Sequence, residues 1–197
     1  MKLILASSSP WRRRLLERLG VPFTTCAPEI DETPLPDEPP EALVTRLAEL
    51  KARAVAANHP GSLVIGSDQV AVLEGAIIGK PGGHQQAVRQ LRAASGKRVL
   101  FHTGLCLLNS ASGALQLDSV PFAVRFRRLE PHQIENYLRR EQPYGCAGSF
   151  KSEGLGVALF QGMEGEDPSA LIGLPLIRLV DMLQREGVDV LGGEDPL

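Results

Sequence analysis

The chain opens on an apolar run, Lys2–Ala6, whose pattern predicts a buried strand. Ser7-Ser8-Ser9-Pro10 breaks the run. Trp11, Leu15, Leu16 and Leu19 then recur at helical spacing. Pro10 suits a first helical turn and Gly20 suits the residue past the last one. Phe23–Ala27 reads as a second strand, and the Pro-, Asp- and Glu-rich stretch from Pro28 to Pro40 reads as a loop. Glu41 to Asn58 is helical, with Leu43, Leu47, Leu50, Ala54 and Val55 on one face.

Leu63-Val64-Ile65-Gly66 predicts a buried strand with Ser67-Asp68-Gln69 at its end. Val70–Leu73 and Ala76–Ile78 then form a hairpin about Glu74-Gly75. His84 to Ser95 is a helix closed by Gly96. From Arg98 the pattern changes: Arg98–Asn109 and Leu115–Phe126 are long extended runs that predict an antiparallel ribbon. Pro131 to Glu141 and Pro175 to Glu186 are further helices. Helix–strand alternation followed by a ribbon defines an α/β fold with a mixed sheet flanked by helices. No linker cuts the chain, so residues 1–191 are expected to form one domain, with two lobes possible, and residues 192–197 a frayed tail.

Composition narrows the functional classes. Among 197 residues, 21 Lys and Arg nearly balance 23 Asp and Glu, giving a net charge of −2. A nucleic-acid binder carries a basic excess, so no nucleic acid is expected as partner, while a small anionic ligand remains open. Cys26, Cys106 and Cys146 are odd in number and far apart, which points to the reducing cytoplasm. No apolar run reaches the ~20 residues of a membrane span, so no membrane partner is expected.

Several clusters carry candidate chemistry. Ser7-Ser8-Ser9-Pro10-Trp11-Arg12-Arg13-Arg14 joins hydroxyls and arginines at a helix start, where an α/β sheet binds phosphate; a solvated basic helix start is the alternative. Asp68, after a buried strand, is either a catalytic carboxylate or a turn cap. Lys80 in Gly79-Lys80-Pro81-Gly82-Gly83 reaches phosphate or solvent, without Walker A spacing. Glu29-Ile30-Asp31-Glu32 could hold Mg²⁺ beside substrate phosphates or could solubilise a loop. Glu153, in Gly148-Ser149-Phe150-Lys151-Ser152-Glu153-Gly154, is by default a solvated charge. His59, His84, His102 and His132 lack metal-ligand spacing.

The order of these motifs is itself distinctive. Leu5-Ala6-Ser7-x-Ser9-Pro10-x-Arg12 is followed by Ile30-Asp31-Glu32, Lys51-Ala52, Ile65-Gly66-Ser67-Asp68 and Gly79-Lys80-Pro81. Leu91-x-x-x-Ser95-Gly96, Thr103-Gly104, Ala147-Gly148 and Gly173-Leu174-Pro175-Leu176 complete the set. From about Lys2 to Gly187 the chain resembles the Maf family of nucleoside triphosphate pyrophosphatases. The resemblance implies a fold like that of inosine triphosphate pyrophosphatase (Ham1), with two lobes and a central cleft. It implies hydrolysis of a nucleoside triphosphate substrate to the monophosphate and diphosphate with a divalent metal cation, Mg²⁺ or Mn²⁺. It also implies a cytoplasmic protein that is often a homodimer. The resemblance implies that Asp68 is the proton acceptor and that Ser7, Arg12, Glu32, Lys51 and Lys80 line the cleft. By residue type, Asp68 is expected as base or metal ligand, Glu32 as a second metal ligand, and Ser7, Arg12, Arg13, Lys51 and Lys80 as phosphate-binding residues. The family's history in septum formation adds a cell-division regulator as a non-catalytic alternative.

Trp11, Gln69 and Glu153 resemble the branch that hydrolyses 7-methyl-GTP, and stand where the dTTP/UTP branch carries Arg, Thr and Gln. The residue types suit that base. Methylation at N7 leaves guanine cationic, and a tryptophan face attracts a cation by ~0.5–2 kcal/mol. A carboxylate accepts from both guanine N1–H and N2–H, whereas Gln offers one acceptor and one donor group. Gln69 can donate or accept, so its contact stays open. The combined substitution Trp11→Arg, Gln69→Thr, Glu153→Gln is expected to move preference toward dTTP and UTP, read as the ratio of kcat/KM values across a nucleotide panel. An unmoved ratio would place specificity elsewhere.

Overall fold

The protein is described from a computed structural model covering residues 1–192; the last five residues of the expected tail lie outside the described part. Strands β1 (Lys2–Ala6), β2 (Thr24–Cys26), β3 (Ser62–Leu73), β4 (Ala76–Ile78), β5 (Arg98–Asn109), β6 (Leu115–Phe126) and β7 (Phe160–Glu164) form a seven-stranded sheet. Its order is β2-β1-β3-β5-β6-β7, with β4 paired to β3. β1 runs parallel to β2 and β3, whereas β4 and β7 pair antiparallel, so the sheet is mixed as expected. Helices α1 (Pro10–Glu17), α2 (Pro40–Ala56), α3 (His84–Ala94), α4 (Pro131–Glu141), α5 (Pro168–Ile172) and α6 (Leu176–Arg185) flank it.

The chain forms two compact units. One comprises Met1–Asp68, Thr103–Val120 and the segment from Asp167 onward; the other comprises Gln69–His102 and Pro121–Glu166. In the first unit, alternation along the strands sorts the core onto two faces. Leu3, Leu5, Leu63, Ile65, Leu105 and Leu107 pack with Leu15 and Leu16 of α1 and Leu179, Met182 and Leu183 of α6. Ile4, Ala6, Val64, Cys106 and Leu108 pack with Ala48, Ala52 and Val55 of α2. In the second unit α3 packs on α4. Its core holds an aromatic cluster in which Phe150 meets Phe160 edge-on at 4.8 Å and Phe101 at 5.4 Å.

Two expectations are corrected. Ser67-Asp68-Gln69 does not end a strand: β3 runs unbroken from Ser62 to Leu73, and Ser67 and Asp68 are buried inside it. Their polarity mimics a terminator, but their hydrogen bonds go to other segments. The buried face of α2 is also rotated from the expected one. Leu43, Val44, Leu47, Ala48, Lys51, Ala52 and Val55 are buried, while Leu50 is 38% exposed. β7 and α5 come without a sequence signal; each is only five residues long, too short for periodicity to register.

The rotation of α2 has a steric cause. A Cβ on Gly66 would lie 2.0 Å from the Ala48 carbonyl oxygen, and one on Gly104 would lie 2.1 Å from that of Val44. The helix backbone therefore rests directly on β3 and β5. Gly66→Ala and Gly104→Ala should each destabilise the protein by about 3 kcal/mol or fail to fold, because the obstructing atoms are backbone. Urea denaturation checks this; a loss below about 0.5 kcal/mol would show that α2 can lift off freely.

Candidate functional site

In the first unit the site grows from the end of β1, the neighbouring interior of β3 and the start of α1. β1 pairs with β3 in a register that sets Ala6 beside Gly66, so Ser7 and Ser67 come next, side by side, and Asp68 after them. Ser7 is buried, and its Oγ accepts from the Ser9 N–H. Ser9 caps α1, its Oγ accepting from the Arg12 N–H, with Pro10 opening the helix. Arg12 is thus fixed one turn into α1. Its Nε donates to the Gly173 carbonyl at 2.7 Å, and Ser67 Oγ donates to the same oxygen at 3.0 Å.

Gly173 adopts φ +121°, open in practice only to glycine. The chain around it is held by Asp167, a buried N-cap that accepts from Ser169 and from the Ile177 N–H. Ser169 Oγ accepts in turn from the Leu176 N–H.

The charges converge on Lys51. This residue is 6% exposed on the buried stripe of α2, and its Nζ lies 2.6 Å from Asp68 Oδ1 and 2.8 Å from Glu32 Oε1. One ammonium therefore bridges two carboxylates. Burial pushes the Arg12 guanidinium below its ordinary pKa, while Asp68 and then Glu32 push it back up. Arg12, Glu32, Lys51 and Asp68 thus form one electrostatic cluster. Lys51 and Asp68 are buried whereas Glu32 is exposed, and removing the cation from a buried pair like Lys51–Asp68 typically costs about 3–5 kcal/mol.

Glu32 belongs to the proline-rich loop, which α2 holds in place. Arg46 donates through Nε and Nη2 to the Glu38 carboxylate at 2.6 and 2.7 Å, and to the Thr33 carbonyl at 3.2 Å. Asp31 accepts from the Thr33 N–H. Arg46 is not among the expected site residues; only its position one turn before Lys51 hints at the role.

Among the described residues, no group of three or more His, Cys, Asp or Glu could form a metal cage. Mg²⁺ does not require one, since it binds through one or two carboxylates together with substrate phosphates. Glu32 and Asp68, gathered around a cation, fit that mode. They are the residues that would hold a divalent ion.

The other expected residues divide between the two units. Trp11 is half-buried on α1, with the Arg14 guanidinium 5.2 Å from its ring centroid. Arg13 is exposed and pairs with Glu17 at 3.0 Å. Seven of the ten residues thus fall in the first unit, while Gln69, Lys80 and Glu153 fall in the second. Lys80 is exposed in a turn anchored by Gln90, whose Nε2 donates to the Gly79 carbonyl, and by the Gly82 N–H, which donates to the Tyr144 carbonyl.

Glu153 is exposed in a loop clamped by α4. The Lys151 N–H donates to Tyr137 Oη, Lys151 Nζ donates to the Glu141 carbonyl, and the Leu155 N–H donates to Glu141 Oε1. A Cβ at Gly156 would lie 2.2 Å from the Lys151 carbonyl oxygen, so the loop closes tightly on itself. Gln90, Tyr137 and Glu141 also escape the sequence reading, which takes Ser67 only as part of a motif, without a role of its own. Each acts through partners distant in sequence, which periodicity cannot reveal.

The sequence profile of Maf-like proteins matches residues 2–186, and the chain belongs to that family. A protein of Nitrosococcus oceani named 7-methyl-GTP pyrophosphatase is 62% identical over 96% of this chain and 95% of its own. Proteins of the same name from Nitrosospira multiformis and Pseudomonas fluorescens are 60% and 61% identical, each over 96% of this chain, covering 96% and 98% of their own. Two solved structures share the fold. A HAM1 protein from Coxiella burnetii superposes with a TM-score of 0.55 at 15% identity, over 94% of this chain and 99% of its own. The Staphylococcus aureus Ham1 protein gives 0.57 at 12%, over 94% and 100%. The expected family and Ham1-like fold are both found.

The Glu32 loop generates a pH prediction. Arg46 holds the Glu38 carboxyl down at about 2, against an ordinary value of 4.5, chiefly by side-chain hydrogen bonding. A depressed carboxyl stabilises fully above its ordinary value and loses that contribution as pH falls from about 4.5 toward 2. Hydrogen exchange of residues 31–38 should quicken through that window. In Arg46→Met it should be fast already at neutral pH, with Glu38 titrating in the ordinary range by NMR. Slow exchange in that variant would show the loop is held by something else.

Proposed function

We propose that this protein hydrolyses 7-methyl-GTP to 7-methyl-GMP and diphosphate, removing a modified nucleotide from the cytoplasmic pool. The observation that carries this reading is near-complete coverage at about 60% identity by proteins bearing that activity in their names, within a family the chain belongs to. Three free cysteines accord with a reducing compartment. Among the described residues no helix is long and apolar enough to cross a membrane.

The chemistry grows out of the residues. Water attacks the α-phosphorus in line, the bond to the bridging oxygen breaks, and diphosphate leaves. Asp68 accepts the water proton. It sits in a buried strand interior, where Lys51 and the neighbouring chain hold it still. Arg12, with Nε committed to Gly173, presents its terminal nitrogens to phosphate oxygens, and Lys51 and Lys80 add positive charge. Glu32 and Asp68 would hold a divalent cation, which would supply positive charge to offset the negative charge on the leaving diphosphate.

The base-reading residues match a cationic purine by type. The Trp11 face suits the methylated ring, and its attraction for a cation is displayed by Arg14. Glu153 accepts from N1–H and N2–H, and methylation makes N1–H a stronger donor. The test is diphosphate release from a nucleotide panel with Mg²⁺ or Mn²⁺. Turnover should be highest on 7-methyl-GTP, and Asp68→Asn should lower kcat by about 100-fold or more. Equal or better turnover of dTTP or UTP would replace this reading with a pyrimidine or broad house-cleaning enzyme. An active Asp68→Asn would remove Asp68 from the chemistry.

A further inference from the structure

Gln90 stands out in the second unit because its polarity contradicts its position. It lies on the buried face of α3 with Ala87, Leu91 and Ala94, and is 8% exposed. A buried amide is costly unless both its ends are hydrogen-bonded. Here both are. Nε2 donates to the Gly79 carbonyl at 3.0 Å, and Oε1 accepts from Ser149 Oγ at 2.5 Å. A carbonyl only accepts, so the Gly79 contact fixes which way the amide faces, and the hydroxyl of Ser149 must donate to the other end.

The two partners matter because of the residues just C-terminal to them. Gly79 precedes Lys80. Ser149 leads through Phe150 into the loop carrying Glu153. Ser149 is fully buried and adopts φ +63°, a left-handed conformation that residues other than glycine rarely take. Strain of this kind persists only where surrounding contacts over-determine it. Gln90 supplies one such contact, and Phe150, locked among Phe101, Phe126 and Phe160, supplies the next. From Phe150 onward the chain is held by Tyr137 and Glu141, so Ser149 is the point at which the Gln90 contact joins the segment carrying Glu153.

We propose that Gln90 and Ser149 are positioning residues that tie the Lys80 turn to the Glu153 loop, so that phosphate binding and base discrimination are set by one buried link. The inference rests on the function proposed for Lys80 and Glu153. Both side chains act on one thiol: burial raises the Cys146 pKa, Glu153 raises it further, and Lys151 and Lys80 lower it.

Three variants separate the two ends of the link. Gln90→Glu keeps an acceptor for Ser149 but has no donor for Gly79. Ser149→Gly removes the hydroxyl at a φ that glycine adopts freely, so it folds without new strain. Gln90→Met removes both contacts at similar volume. Ser149→Gly should cut the preference for 7-methyl-GTP over UTP by about tenfold, while Gln90→Glu should lower kcat/KM about tenfold on every nucleotide and keep the ratio. Gln90→Met should show both effects.

Hydrogen exchange reads the link without reference to activity. It should quicken at residues 79–83 in Gln90→Glu, at residues 149–155 in Ser149→Gly, and at both in Gln90→Met. If the three variants lower the thermal midpoint but leave both the nucleotide ratios and these loops as in wild type, Gln90 is a core residue and the proposal fails. If the loops loosen as stated but the wild-type enzyme does not turn over 7-methyl-GTP, the link stands and the functional reading fails.

Discussion

The close seating of α2 on the sheet is the constraint on which the catalytic side depends. Gly66 and Gly104 present bare backbone to the carbonyls of Ala48 and Val44, and Ala48 and Ala52 answer with the smallest side chains that maintain a helix. At that spacing a side chain on the next turn of α2 does not need to bridge a layer of packing. Lys51 extends along the face of β3 to reach Asp68, which lies two residues beyond Gly66 on the same strand. Arg46, on the preceding turn, reaches back over the loop that carries Glu32. A single helix placement thus sets the base candidate, its counter-ion and the second carboxylate. A bulkier residue at either glycine would displace all three together.

Lys51 then offsets an electrostatic cost that the placement of Glu32 near Asp68 creates. Two carboxylates brought close enough to share a cation repel one another, and solvent screens that repulsion only from the exposed Glu32 side, since Asp68 is buried. An ammonium between them neutralises the pair. It also leaves the cluster, with Arg12, carrying two positive and two negative groups. Such a cluster accepts a polyanion only if the positive groups can turn toward it. Lysine suits that role better than arginine, since its charge is compact and its stem flexible. Arg12 takes the complementary part, a rigid fork whose inner nitrogen is fixed by Gly173. The near-neutral composition of the whole chain therefore conceals a local division of charge.

Most elements are legible from periodicity alone. The boundaries of β5, β6 and α4 fall where the pattern puts them, because long amphipathic or extended runs carry their own signal. The departures share one physical cause. Polar residues look like a strand end, so the pattern divides β3 at Ser67-Asp68-Gln69. Yet Ser67 and Asp68 stay inside the sheet by bonding to Gly173 and Lys51. The pattern puts Leu50 in the core and leaves Lys51 off that face for the same reason: a period counts side chains by type and does not see a partner 17 residues away. The family motifs do recover Lys51, Asp68, Lys80 and Glu153 as candidates. They do not point to Arg46, Gln90, Tyr137 or Glu141, whose roles lie in bonds between segments.

The two kinds of recognition that the proposed function assigns to Lys80 and Glu153 make different demands on rigidity, and the second unit meets them differently. A phosphate is bound largely by charge, which falls off slowly with distance and tolerates error in direction. Lys80 accordingly sits on an exposed turn whose backbone is placed by the Gln90 side chain and the Tyr144 carbonyl, since the position of its charge matters more than its direction. A base edge is read by hydrogen bonds, which weaken steeply as their angle opens. Glu153 is a long, exposed side chain, and ordering its loop only when substrate arrives would subtract backbone entropy from binding on top of the side chain's own. Its backbone is accordingly over-determined: Tyr137 and Glu141 clamp it, Gly154 and Gly156 allow the close turn, and the aromatic cluster fixes Phe150 before it. Side-chain freedom remains, but backbone freedom has been removed in advance. A carboxylate reader that accepts from two adjacent donors gains the most from this arrangement, because both of its bonds depend on the same plane.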